Sequence, residues 1–135
     1  MARLALVLAL AACASAAPPK PKFQMRSYGF VLLRRGPAWT PESTPETKRI
    51  FEGHMANIKA MAQARKLLIA GPLDDKAKNE LAGIFIFETA DVEEIKKLIA
   101  ADPAIQSGRL MADIMEWYGP AGLTYDGREE ALAHP

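Results

Sequence analysis

Four short stretches rich in branched and aromatic residues alternate with two stretches whose apolar positions recur at helical spacing. RSYGFVLLRR at residues 26–35 predicts a first strand, closed by Gly36-Pro37, and PAWTPESTPE at 37–46 is a loop carrying three prolines. Ser43 with Glu46, or Thr44 with Pro45 at the first helical position, opens a helix that runs to about Arg65. KLLIAGP at 66–72 is a second strand, LDDKAKNE at 73–80 a polar turn, and LAGIFIFET at 81–89 a third strand. Asp91 and Glu94 form a capping box for the helix VEEIKKLIAA, which Asp102-Pro103 ends. LMADIMEWY at 110–118 is the fourth strand, and the residues beyond Leu123 are polar and aperiodic.

The order β-α-β-β-α-β predicts an α+β, ferredoxin-like domain: one antiparallel four-stranded sheet with both helices on one face. The strands, however, are apolar on both faces. In GIFIF, Ile84 and Ile86 point one way and Phe85 and Phe87 the other, so the helix-free face also needs a cover. A second copy of the same sheet supplies one, which predicts a homodimer through that face.

The first residues do not belong to this plan. MARLALVLALAACASA has an early Arg, an apolar run from Leu4 to Ala12 and the small-residue pattern Ala14-Ser15-Ala16, the pattern of an export signal. Cleavage after Ala16 makes residues 1–16 the signal, 17–24 a proline-rich spacer, 25–123 the domain and 124–135 a tail. Leu10-Ala11-Ala12-Cys13 also resembles a lipoprotein box, and lipidation of Cys13 would instead remove residues 1–12 and tie the protein to a membrane by a lipid anchor. Both alternatives place the protein outside the cytoplasm, periplasmic, secreted or membrane-anchored.

Composition narrows the chemistry. With 17 Lys+Arg against 16 Asp+Glu and a net charge of +1, the 135 residues carry no long cationic face, so nucleic acid is not an expected partner. Cys13 is the sole cysteine, which removes disulfides, thiol catalysis and thiolate-bound zinc from the folded part. Only one of the two histidines lies in that part, and Asp74 and Asp75 sit in a turn that they serve to cap, so no metal or organic cofactor is expected.

One feature of RIFEGHMANIKAM conflicts with a purely structural helix. Ile50, Phe51, Met55, Ile58, Met61 and Ala62 share one stripe, and His54 lies inside it. A core-facing histidine either satisfies a backbone carbonyl or transfers protons in a pocket. Asp102 has two readings as well, as the residue that ends a helix before proline or as a partner for an imidazole. The pair Arg34 and Arg35 either closes a strand end or meets a phosphate or carboxylate, and Arg34 is the candidate for the pocket. Trp39 either anchors its loop to the core or covers a pocket. Ser27 and Ser107 lack the surroundings of a nucleophile elbow.

In order along the chain, FVLLRRGPAWTPESTPE, EGHMANI, KLLIAGPLDD, GIFIFE, ADPAIQSGRL and EWYGPAGL resemble the YCII-related family, small proteins of the dimeric α+β barrel group, over residues 27–123. That resemblance implies an active site formed by a helix histidine and the Asp of the Asp-Pro step, which are His54 and Asp102 in this sequence. One position departs from it: Arg65 stands where the family has glycine between the first helix and the second strand, which puts the helix end and the register at His54 in question. The expectation is an exported enzyme using a metal-free His54–Asp102 proton-transfer pair on a small organic substrate, as an isomerase, lyase or hydrolase. The alternative is a non-catalytic dimeric module in which His54 only hydrogen-bonds a bound ligand.

Overall fold

The computed structural model describes residues 24–123; the expected export signal, Cys13, most of the expected spacer and the tail lie outside these described residues. Seven elements follow one another: β1 (Met25–Arg35), α1 (Pro45–Gln63), β2 (Leu67–Pro72), β3 (Leu81–Phe87), α2 (Val92–Ile99), α3 (Pro103–Gln106) and β4 (Leu110–Pro120). The strands form one antiparallel sheet in the order β2-β3-β1-β4, the α+β ferredoxin-like arrangement. β1 and β4 pair without interruption from Met25 opposite Pro120 to Arg35 opposite Leu110. This unbroken register fixes which face each β1 residue serves.

Odd-numbered positions of β1 face the helices. Val31 and Leu33 pack with Phe85 and Phe87 of β3, Ile58 and Met61 of α1, and Ile95 and Ile99 of α2 in one buried cluster, so both helices lie on the same side of the sheet. A Cβ on Gly29 would stand 2.1 Å from Ile95 Cδ1, so the absent side chain is what lets α2 sit this close. The other face carries a smaller cluster of Tyr28, Leu68 and Ile86, packed by Phe30 and Trp117. Tyr28 directs its hydroxyl to the Pro120 carbonyl at 2.7 Å. Farther along that face Met111 and Met115 of β4 are 38% and 43% exposed.

The helix ends show where local sequence was decisive. Of the two expected starts α1 takes the second: Thr44 is the cap and Pro45 the first helical position, with Thr47 completing a reciprocal pair, and Ser43–Glu46 is not the cap. Asp91 caps α2 by accepting from the Glu93 and Glu94 amides; Glu94 does not complete the expected box, because the Asp91 amide donates to the Thr89 hydroxyl at 3.1 Å while the Glu94 carboxylate pairs with Lys66 at 2.8 Å. The connection expected after Asp102-Pro103 is the short helix α3, with Asp102 as its N-cap.

α1 ends in a left-handed residue even without glycine. Arg65 has φ 57°, its amide donates to Ala62 O, and the Lys66 amide donates to Met61 O, both at 3.0 Å. Those two bonds make a Schellman ending. The departure at Arg65 therefore leaves the helix register at His54 unshifted.

Candidate active site

α1 divides along its length. Ile58, Met61 and Ala62 in its C-terminal half are buried in the core, whereas Phe51 and Met55 one to two turns earlier are 62% and 42% exposed. All five apolar positions belong to the stripe read from the sequence, but the sheet does not reach the N-terminal half of the helix closely enough to cover it. A cavity of about 850 Å3 opens there, walled by Ile50, Phe51, Met55 and Ile58 on one side and by Leu33 and Phe85 of the sheet on the other. Its size and apolar walls are those of a small-molecule site.

His54 stands in this wall, at the boundary between cavity and core. Its Nδ1 lies 2.6 Å from Asp102 Oδ2; the imidazole side chain is 13% exposed and the Asp102 side chain fully buried. The second carboxylate oxygen, Oδ1, accepts from the Ala104 amide at 2.8 Å and so caps α3. Asp102 thus fills both of the roles open to it, one oxygen for each. An ionised carboxylate can only accept, so Nδ1–H donates to Asp102, and in the neutral imidazole the proton-free nitrogen is then Nε2. Among the described residues no group hydrogen-bonds Nε2. The ring is steadied by Phe85, stacked on it at 6.1 Å with 25° between planes, and Phe85 is itself held edge-on by Phe87.

The approach of α1 to α3 that makes the pair possible depends on Gly53. A Cβ there would come 2.7 Å from Pro103 Cγ, closer than packed atoms allow. The sequence Gly53-His54 facing Asp102-Pro103 is therefore one unit, in which the small residue and the ring pack while the polar neighbours bond.

Trp39 lines the cavity, with the Arg35 guanidinium 4.7 Å from its ring centre. Arg34 does not line it. As an even-numbered β1 residue it points to the helix-free face, where it makes a two-pronged pair with Asp113 at 2.6 and 3.0 Å. Arg35 is the member of the pair that enters the cavity, because it shares a face with Val31 and Leu33, the face that packing turns toward the helices. Arg109 also lines the cavity, and no sequence pattern marks it. Ser27 hydrogen-bonds Glu116 and Ser107 hydrogen-bonds the Ala104 carbonyl; neither lines the cavity. Asp75 closes its turn by accepting from the Leu81 and Glu80 amides at 2.8 and 3.1 Å. Among the described residues no three His, Cys, Asp or Glu side chains gather as a metal site.

The family model of the YCII-related domain matches residues 33–118, from the end of β1 through β4. The chain belongs to the YCII-related family. The matched span of this YCII-related chain contains His54, Asp102 and every residue named above as lining the cavity. No curated protein matches the chain. Among solved structures, it is similar to 5-chloro-2-hydroxyhydroquinone dehydrochlorinase from Burkholderia phenoliruptrix AC1100, in complex with 2,5-dihydroxybenzoquinone, at 19% identity and a TM-score of 0.46, over 66% of this YCII-related chain and 92% of the other.

Proposed function

We propose that this YCII-related protein is an exported acid–base enzyme acting on a small organic substrate, with His54 as the proton-transfer group and Asp102 as its positioning partner. The observation that carries the reading is the 2.6 Å contact between His54 Nδ1 and a fully buried carboxylate, at the wall of an open apolar cavity. Nε2 takes a proton from an acidic C–H or O–H of the substrate, and the imidazolium so formed is stabilised by Asp102. The electron pair left on the substrate either shifts a double bond, with the proton returned to another atom, or expels a leaving group. The first outcome is isomerisation and the second elimination. Positioned proton transfer of this kind contributes about 10²–10⁴-fold in rate.

The test is a turnover screen of small lactones, phenols and halogenated aromatics with wild type and His54→Ala. The expected result is turnover of one class by wild type and a loss of about 10²–10⁴-fold in the variant. Turnover that His54→Ala leaves intact refutes the role of His54. A second reading, a ligand-binding module without turnover, is favoured by one observation: Asp102 is already employed as the α3 cap. Under it, ligands bind wild type but none is converted.

Two further parts of the reading concern the protein in its setting. Residues 1–16 support export, and mass spectrometry of protein from its host is expected to find a chain beginning near Ala17 or at a lipid-modified Cys13. The exposed Met111 and Met115 and the half-buried Phe30, Leu32 and Ile84 on the helix-free face support a homodimer through that face, the sheets packing as a dimeric α+β barrel.

A further inference from the structure

We infer that the ligand of this cavity is an organic carboxylate, its anionic group held by Arg35 and Arg109 and its apolar body lying along α1 toward His54. The inference rests on reading the cavity as a ligand site, but not on turnover there. Arg35 ends β1, and Arg109 immediately precedes its neighbour β4. Arg35 is the next inward position after Val31 and Leu33, and the Gly36 amide donates to the Arg109 carbonyl at 2.8 Å, so the two residues flank one end of the same pair of strands.

Their charges are unlike the others on this sheet. Arg34 is met by Asp113 and Arg26 by Glu88. Arg35, by contrast, donates from Nη1 to the Leu81 carbonyl at 2.8 Å and lies on Trp39. Arg109 donates to the Thr40 carbonyl at 2.8 Å, the Thr40 hydroxyl at 3.2 Å and the Ala38 carbonyl at 3.4 Å. Among the described residues no carboxylate contacts either guanidinium, and no Asp or Glu lines the cavity. Both arginines are half-buried beside apolar walls with no counter-charge in contact, and an anionic ligand can supply one.

The neutral contacts also hold the guanidinium planes in place without using all their hydrogens. A guanidinium has five N–H donors, of which Arg35 commits one to a named acceptor. The remaining donors form a planar fork suited to a carboxylate. The rest of the wall is hydrocarbon and aromatic, from Ile50, Phe51 and Met55. A free inorganic anion would leave that surface uncovered, whereas a carboxylate on a ring or chain fills both parts.

The experiment compares 2-naphthoate with its neutral analogue 2-naphthamide, by calorimetric titration of the purified protein and by shifts of the His54 ring resonances. Charge-assisted hydrogen bonds lead to an expected preference of about tenfold or more for the carboxylate, weakened by salt. Arg35→Gln and Arg109→Gln are each expected to reduce the preference, with Arg35→Lys retaining part of it. His54→Gln is expected to keep it, which separates this inference from the proposed enzyme: absence of turnover leaves the ratio standing. Equal affinity for the two probes, a preference that survives in both glutamine variants, or no binding of 2-naphthoate at millimolar concentration overturns the inference. Thermal unfolding of each variant confirms that a lost preference belongs to a folded protein, since arginines that merely fasten residues 38–40 would alter stability without altering the ratio.

Discussion

Asp102 divides its two oxygens between the start of a helix and an imidazole, so substitutions there separate architecture from chemistry. In Asp102→Asn the carbonyl oxygen can still accept from the Ala104 amide, which leaves the amide NH2 facing His54 Nδ1. That nitrogen must then accept, and the proton moves to Nε2, where a base is required. The expected outcome is a folded protein, within about 1 kcal/mol of wild-type stability, whose turnover is lost; the proton position is read by 15N NMR of the ring. A fully active Asp102→Asn variant would remove Asp102 from the mechanism. Gly53 gives the complementary case, because its role is space. Gly53→Ala puts a methyl 2.7 Å from a proline ring that cannot swing away, and α1 must separate from α3. Overpacking of this kind costs about 1–3 kcal/mol, and the lengthened His54–Asp102 contact is expected to lower turnover further than the stability loss explains. Chemical denaturation alongside kinetics checks both parts.

At the scale of the element, α1 carries the site on a helix whose ends are set by local chemistry. Its beginning is held by reciprocal bonds between Thr44 and Thr47, and its end by a left-handed Arg65. Because a side chain is strained at φ 57°, Arg65→Gly is expected to stabilise the fold by up to about 1 kcal/mol, measured by chemical denaturation, without moving His54. A destabilised variant would mean that the arginine side chain contributes more than its backbone strain costs. The expected Asp91–Glu94 box did not form because each member has another partner: the Asp91 amide donates to the Thr89 hydroxyl two residues earlier, and Lys66, at the junction of α1 and β2, offers Glu94 an opposite charge 28 residues away in sequence.

For the whole molecule, three carboxylates link stability to pH, Glu94 and Asp113 through pairs with distant residues and Asp75 by closing its turn. The Leu81 amide bonded to Asp75, the Lys66 ammonium on Glu94 and the Arg34 guanidinium on Asp113 hold all three below the usual carboxylate range. A lowered value in the folded state means that the unfolded chain takes up protons first as pH falls. The stability these groups supply is thus complete above the ordinary carboxylate range and is lost as pH falls through their folded values. The melting temperature is expected to be level near neutral pH and to decline below about pH 4, less steeply in Asp75→Asn. A midpoint that stays level down to about pH 2 would contradict this. The proposed homodimer belongs to the same scale. Burying an apolar side chain of this size contributes about 1.5–3 kcal/mol, so Met115→Glu, which puts a charge on the helix-free face, is expected to shift the protein to monomer in sedimentation velocity. A wild type that is monomeric at micromolar concentration would refute the dimer.

How much of this was legible beforehand follows from how far each determinant reaches along the chain. Strand alternation, helical spacing, the prolines at 37, 41 and 45 and the Thr44-Pro45 start are local, and each acts through neighbours within a few residues. They were enough for the order of elements, for the two apolar faces of the sheet and for singling out His54 as a histidine on an apolar stripe. The resemblance carried by motif order added Asp102. What the tertiary structure alone decided is the stretch of α1 that leaves the core and walls a cavity, the choice of Arg35 over Arg34, and the presence of Arg109 beside it. Each of these depends on where a helix comes to rest against a sheet or on the register of β1 with β4, and those positions are set by contacts between residues tens of positions apart. A one-residue shift of that register exchanges the two arginines, because side chains in a strand alternate with a period of two; local sequence carries both possibilities, and packing selects one.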